Sequence, residues 1–230
     1  MVSITGIDAV VFDMDGLMLD TESIYKYAWQ NAAQECGYHL DDDFYFTLVG
    51  QTNPAGEAAL LNLFGERFPM ADFRARWSQL WKVQVETAGI PTKPGLVELL
   101  SFLQERRIPV AVATSSDRDY TGLSLRAGGL ETYFHTIITG DQVVQGKPAP
   151  DIYIESARRL GVEPARCVAL EDSDAGVLAA SAAGMISIMV PDLKPPSPEA
   201  EKAAFCVLAS LTDAREQIAS LLRRETQAAG

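Results

Sequence analysis

Four short apolar runs, Ala9–Phe12, Val110–Ala113, Thr136–Ile138 and Cys167–Leu170, constrain this chain more than any other feature, and Ile186–Val190 reads as a fifth. They are rich in Val, Ile and Ala and do not alternate with polar residues. Such runs suit strands covered on both faces, as in parallel sheets. The segments between them carry helical spacing. Gly95–Gln104 places Leu96, Leu99, Leu100 and Leu103 on one side. Asp151–Leu160 follows a proline, and Ala175–Ala183 closes at Gly184, a helix stop. Strands alternating with helices of this length predict an α/β fold, a doubly wound parallel sheet.

One stretch departs from that alternation. From Thr21 to Ile90 the chain reads as consecutive helices. The first runs from Thr21 to Cys36, with Asp20 or Thr21 as N-cap, Gly37 just past its end, and Ile24, Tyr27, Ala28 and Ala32 at helical spacing. Another begins at Asn53-Pro54, and a third, Met70–Thr87, stacks Trp77, Trp81 and Val85 at four-residue steps, read here as packing. The segment "GIPTKPG" (Gly89–Gly95) reads as the return linker. The expected organisation is a core of residues 1–19 and 93–230, with a small helical domain, residues 20–92, inserted after the first strand.

The end of the first run poses a physical problem. Asp13 and Asp15 follow directly on buried-looking Val and Phe, and burying unpaired carboxylates costs several kcal/mol or more. In open parallel sheets the carboxyl ends of the strands share one edge, where ligands bind. The second run ends in Thr114-Ser115-Ser116, the third is followed by Gly146-Lys147-Pro148, and the fourth ends in Glu171-Asp172-Ser173-Asp174. Carboxylates, hydroxyls and one ammonium therefore meet in one crevice. A cation would relieve the mutual repulsion of the acids. An all-oxygen set suits Mg²⁺, which leaves a position for a substrate phosphate.

That chemistry is phosphoryl transfer. Lys147 and the metal screen a phosphate monoester, and Thr114, with Ser115 beside it, can hydrogen-bond the phosphoryl oxygens. Asp13 can then attack phosphorus, and Asp15 can protonate the leaving oxygen and later deprotonate water. Gly16 permits a sharp turn beside them. Taken singly, each of these short motifs has an ordinary structural explanation as a cap, turn or surface residue. Their order, each after a strand-like run, is what points to a site.

"DMDG", "ATSS", "GKPAPDIY" and "LEDSDAG" resemble the four motifs of the haloacid dehalogenase-like superfamily, in the branch of beta-phosphoglucomutase and small sugar-phosphate phosphatases. The resemblance spans nearly the whole chain. It implies a Rossmann-like core and a helical cap. It implies Asp13 as nucleophile, Asp15 as general acid/base, and Thr114 and Lys147 on the phosphoryl group. Asp13, the Asp15 backbone carbonyl and Asp172 would bind Mg²⁺, with Glu171 in or beside that shell. Dehalogenation is disfavoured, because members that cleave carbon–halogen bonds generally lack the second aspartate.

The closer competitor is a phosphomutase. That group typically carries a histidine early in the first cap helix and an arginine in a cap loop. This chain has Tyr25 and "GQTNPAG" (Gly50–Gly56) there, which favours a phosphatase. Lys26 could supply a charge, although a solvated helix position suits it. A non-enzymatic phosphate-binding protein is a remoter reading, which loss of Asp13 or Asp15 would have favoured. Cap closure would exclude bulk water. Glu22, near the hinge, and Gln51, with Thr52 and Asn53, are candidate substrate contacts, although each also fits a helix start or turn.

The net charge of −12 argues against nucleic acid or an anionic membrane as partner. No apolar run approaches a membrane span, and the N-terminus lacks a basic region before its first apolar run. Three dispersed cysteines and two scattered histidines, His39 and His135, form no metal pattern. The expectation is a cytoplasmic, monomeric enzyme acting on a small phosphorylated metabolite, with a frayed tail after Arg223.

Overall fold

A computed structural model describes residues 6–49 and 53–228. The chain divides into two compact units, Met1–Leu19 with Pro91–Gly230, and Asp20–Ile90.

The first unit is a six-stranded parallel sheet. Its strands are β1 (Ala9–Phe12), β2 (Val110–Ala113), β3 (Thr136–Ile138), β4 (Cys167–Glu171), β5 (Ile186–Met189) and β6 (Cys206–Val207), in the order β3-β2-β1-β4-β5-β6. The second unit supplies α1 (Thr21–Glu35), α2 (Asp42–Leu48), α3 (Asn53–Phe64) and α4 (Met70–Ala88). The sheet unit carries α5 (Leu96–Glu105), α6 (Arg118–Ala127), α7 (Asp151–Leu160), α8 (Asp174–Ala182), α9 (Pro198–Ala203) and α10 (Leu211–Ala228). The strand order reverses beside β1, so the first strand is central and its carboxyl end lies at the switch point of a doubly wound sheet.

The apolar patterns explain these placements. On one sheet face Ile152, Tyr153 and Ala157 of α7 and Ala179 and Ala180 of α8 pack with Val11, Ala111 and Ala169. In α5, Leu96, Leu99, Leu100 and Leu103 are all buried. Each such leucine contributes roughly 1.5–3 kcal/mol of transfer free energy. In the helical unit, Trp29, Tyr45, Leu60, Phe68 and Phe73 form one core, with Trp77 packed against it. The tryptophans thus serve as packing there.

Some elements depart from the sequence reading. β6 is two residues long, and α2, α6 and α9 lie in segments too short or polar to register as periodic. Instead of fraying after Arg223, α10 continues to Ala228, and upstream it buries Leu211, Ala214, Ile218 and Leu221 at helical spacing. Asp20 stands at the N-cap of α1, but its side chain makes no capping bond. The units divide between Ile90 and Pro91, not at residue 92. Thr92 bridges Leu19, and Lys93 N–H donates to Met18 C=O at 2.8 Å, which ties both residues to the sheet unit.

Candidate active site

Backbone register delivers the polar residues. Phe12 pairs with Val112 on one side and Leu170 on the other. Asp13, one step further, is anchored by its N–H to Leu170 C=O at 3.0 Å. Thr114 leaves β2 with its N–H on Ile138 C=O at 3.0 Å. The central strand therefore ends between the Thr114 loop and the Glu171-Asp172 pair.

Lys147 reaches in from the loop before α7. Its Nζ donates to Asp13 Oδ1, to Glu171 Oε1 at 2.5 Å and to Ala113 C=O at 3.0 Å. Asp13 is 7% exposed and Glu171 fully buried. Glu171 also accepts from the Tyr153 hydroxyl and from Ser173 Oγ at 3.1 Å. Its oxygens are thus engaged by groups that fix it and, through it, Lys147. Two glycines make room for the acids. A Cβ on Gly176 would lie 1.9 Å from the Glu171 carboxyl, and one on Gly16 would lie 2.3 Å from Asp172 Oδ2.

Ligand atoms of Asp13, Glu171 and Asp172 lie within 4.8 Å of one another. Asp172 has no side-chain hydrogen bond or ion pair among the described residues. Ionised, the three carboxyls and one ammonium sum to −2. The local electrostatics follow that shortage. Burial pushes the Asp13 carboxyl up to about 8, against the pull of Lys147. Burial, then Asp13 and Glu171, hold Asp172 well above the usual carboxylate range. Burial works to neutralise Lys147, but Asp13 and Glu171 prevail and raise it, keeping the ammonium charged. A divalent cation among oxygen ligands fits this set. It would bring the sum to zero and give Asp172 a partner.

Of the residues singled out in the sequence, Asp13, Thr114, Lys147, Glu171 and Asp172 converge at this sheet edge. The Asp15 side chain stands outside the acidic trio. Its Oδ2 accepts from Ser116 Oγ at 2.9 Å and its Oδ1 from the Tyr120 hydroxyl at 3.0 Å. Thr114 is 1% exposed, and its Oγ1 accepts from Ser116 N–H at 3.1 Å. Ser115 is exposed, and its backbone carbonyl requires Gly140, where a Cβ would fall 2.3 Å away. Glu22, in α1 of the helical unit, accepts from the Tyr45 hydroxyl at 3.3 Å. Gln51 and Thr52 lie outside the described residues. Tyr25, at the position where a mutase would carry histidine, packs against Trp77 and Trp81.

Sequence reasoning missed Tyr153, Ser116 and Tyr120. A tyrosine on a helix face otherwise bound for the core was the available signal for Tyr153, because a buried hydroxyl usually finds a partner. Ser116 was visible only as the last of three hydroxyl residues. Tyr120 had no local signal.

Comparison with known proteins agrees with this geometry. Residues 7–184 match the haloacid dehalogenase-like hydrolase family. The chain is 35% identical over 178 residues to a phosphorylated carbohydrates phosphatase of Thermotoga maritima, covering 77% of this chain and 82% of that one. It is 33% identical over 182 residues to the fructose-1-phosphate phosphatase YqaB of Escherichia coli, covering 79% and 95%. Among solved structures, a Thermotoga maritima protein described provisionally as a beta-phosphoglucomutase superposes with a TM-score of 0.82 at 30% identity, covering 93% of this chain and 99% of that one. The chain belongs to the haloacid dehalogenase-like hydrolase family, in the branch of beta-phosphoglucomutase and sugar-phosphate phosphatases. It is an enzyme of the hydrolase class.

Proposed function

We propose that this hydrolase is a cytoplasmic, Mg²⁺-dependent phosphatase that cleaves a small phosphorylated sugar or polyol through an aspartyl-phosphate. The observation that carries the reading is the charge shortage around Asp13. A nucleophilic carboxylate is held by Lys147 next to Asp172, which has no cationic partner of its own. The relatives named as sugar-phosphate phosphatases support the substrate class.

In this reading a carboxylate oxygen of Asp13 attacks phosphorus as the bond to the leaving alcohol breaks, and Asp15 gives its proton to the departing oxygen. Water then attacks phosphorus, its proton passes to Asp15, and the bond to Asp13 breaks to release phosphate. Lys147 and Thr114, with Ser115, hold the phosphoryl oxygens. Glu171 and Tyr153 keep Lys147 aimed at Asp13. Asp13, Asp172 and the Asp15 carbonyl would hold Mg²⁺, with Glu171 beside them. The bound ion neutralises charge on the nucleophile and the phosphoryl group.

The test is phosphate release from a panel of sugar and polyol phosphates with Mg²⁺, in excess chelator, and with Asp13→Asn. The expectation is Mg²⁺-dependent release that Asp13→Asn abolishes without loss of fold. Full activity in chelator would remove the metal, and an active Asp13→Asn would remove the nucleophile. A phosphomutase is the second reading, favoured by the 0.82 superposition. With beta-glucose 1-phosphate and a bisphosphate activator, glucose 6-phosphate formed faster than free phosphate would establish it in place of the phosphatase.

A further inference from the structure

Asp15 is gripped at both carboxylate oxygens by hydroxyls from a single segment. Ser116 Oγ lies 2.9 Å from Oδ2, and the Tyr120 hydroxyl lies 3.0 Å from Oδ1. Two bonds to opposite oxygens fix the plane of a carboxyl, which one bond would leave free to rotate.

The segment that carries the hydroxyls is itself fixed. Asp117 caps α6 by accepting the Tyr120 N–H at 2.9 Å, and the Thr121 hydroxyl donates to Asp117 C=O at 2.6 Å. Ser116 N–H is bound to Thr114 Oγ1 at 3.1 Å. The turn that places Thr114 therefore also places Ser116 and, through the cap, Tyr120. A phenol spans from the first helical turn to Asp15, a distance a serine there would not cover.

We propose that Tyr120 is a positioning residue for proton transfer. With Ser116 it orients the Asp15 carboxyl so that one oxygen faces the leaving group. The proposal rests on the reading of Asp15 as general acid/base. A hydroxyl can donate or accept, so the clamp serves Asp15 with or without its proton. Its importance depends on the ester. A p-nitrophenolate departs without a proton, whereas an alkoxide needs one.

The test compares p-nitrophenyl phosphate with glycerol 1-phosphate in wild type, Tyr120→Phe, Asp15→Asn and the double variant, with Mg²⁺ present. Tyr120→Phe removes one oxygen and keeps the ring. We expect its kcat on glycerol 1-phosphate to fall about tenfold with KM unchanged, and on p-nitrophenyl phosphate by less than about threefold. In the Asp15→Asn background the same change should add nothing, because the proton it directs is gone. Equal losses on both esters, no loss on either, a rise in KM alone, or an undiminished effect in the double variant would overturn the proposal. If Tyr120→Phe did not fold, Ser116→Ala would be held to the same leaving-group criterion. The single Asp15→Asn arm separates the two levels. If it shows no leaving-group dependence, the role of Asp15 itself falls and the clamp with it. If it does and Tyr120→Phe does not, only the clamp is refuted.

Discussion

Replacing Gly176 by alanine should destabilise this protein, although the same change in an ordinary helix does the opposite. Gly176 lies in the first turn of α8, its N–H bound to the Ser173 cap at 3.1 Å. Alanine in a helix is favoured over glycine by about 0.8–1.0 kcal/mol. Here the new methyl would sit 1.9 Å from Cδ and Oε1 of Glu171 and 2.1 Å from Oε2. Those atoms cannot simply swing aside. They belong to a fully buried carboxylate that holds Lys147, the Tyr153 hydroxyl and Ser173. Breaking a buried ion pair costs roughly 3–5 kcal/mol. Set against the propensity gain, the net is about 2–4 kcal/mol of lost stability.

The control is Gly122→Ala in α6, where a methyl would meet only Arg126 Nη1 at 3.5 Å, an ordinary contact. That variant should gain up to about 1 kcal/mol. Urea unfolding should be followed by far-UV circular dichroism. All three tryptophans, Trp29, Trp77 and Trp81, lie in the helical unit, so their fluorescence reports the other part of the molecule. Opposite signs for the two alanines are expected, with turnover lost only in Gly176→Ala. A Gly176→Ala protein as stable as wild type and fully active would refute the claim that Glu171 is locked against this helix.

Two further outcomes test the acidic cluster. Gly16 has φ +84°, and a Cβ there would lie 2.3 Å from Asp172 Oδ2. Besides roughly 1–2 kcal/mol of left-handed strain, Gly16→Ala should displace Asp172 and weaken Mg²⁺ binding by about tenfold or more in calorimetric titration; unaltered affinity would take Asp172 out of the metal site. Without metal, the folded Asp13 carboxyl holds its proton up to about 8, against an ordinary 3.8. Between these values the folded state binds protons that the unfolded chain has released, so stability should fall as pH rises across that window. Mg²⁺ should flatten the slope; a metal-free urea midpoint that holds or rises with pH would contradict it.

The sheet was readable because its strands are buried on both faces. Val10-Val11-Phe12 and Val168-Ala169-Leu170 have no solvent side to blur the pattern. The leucines of α5 were equally plain. β6 was not, because two residues carry no period. The extension of α10 past Arg223 was hidden by a polar composition that reads as a tail, although the Leu211–Leu221 stripe commits the helix to the core. At the site, the residues that bear charge announced themselves at the strand ends. The residues that aim them did not. Tyr120 reaches Asp15 across 105 positions of sequence and Tyr153 reaches Glu171 across 18. Only the sheet order brings those loops together.

The neighbours Glu171 and Asp172 show why the two kinds of residue differ in legibility. Ligand atoms of the two carboxyls lie within 4.8 Å of each other, yet the two acids have different partners. Glu171, the last residue of β4, turns into the space between Lys147, Tyr153 and Ser173 and spends its charge on the lysine. Asp172, one step past the strand, lies against Gly16, and burial favours its neutral form until a cation joins it. Different partners at two adjacent positions therefore separate the acid that aims the lysine from the acid left to a cation.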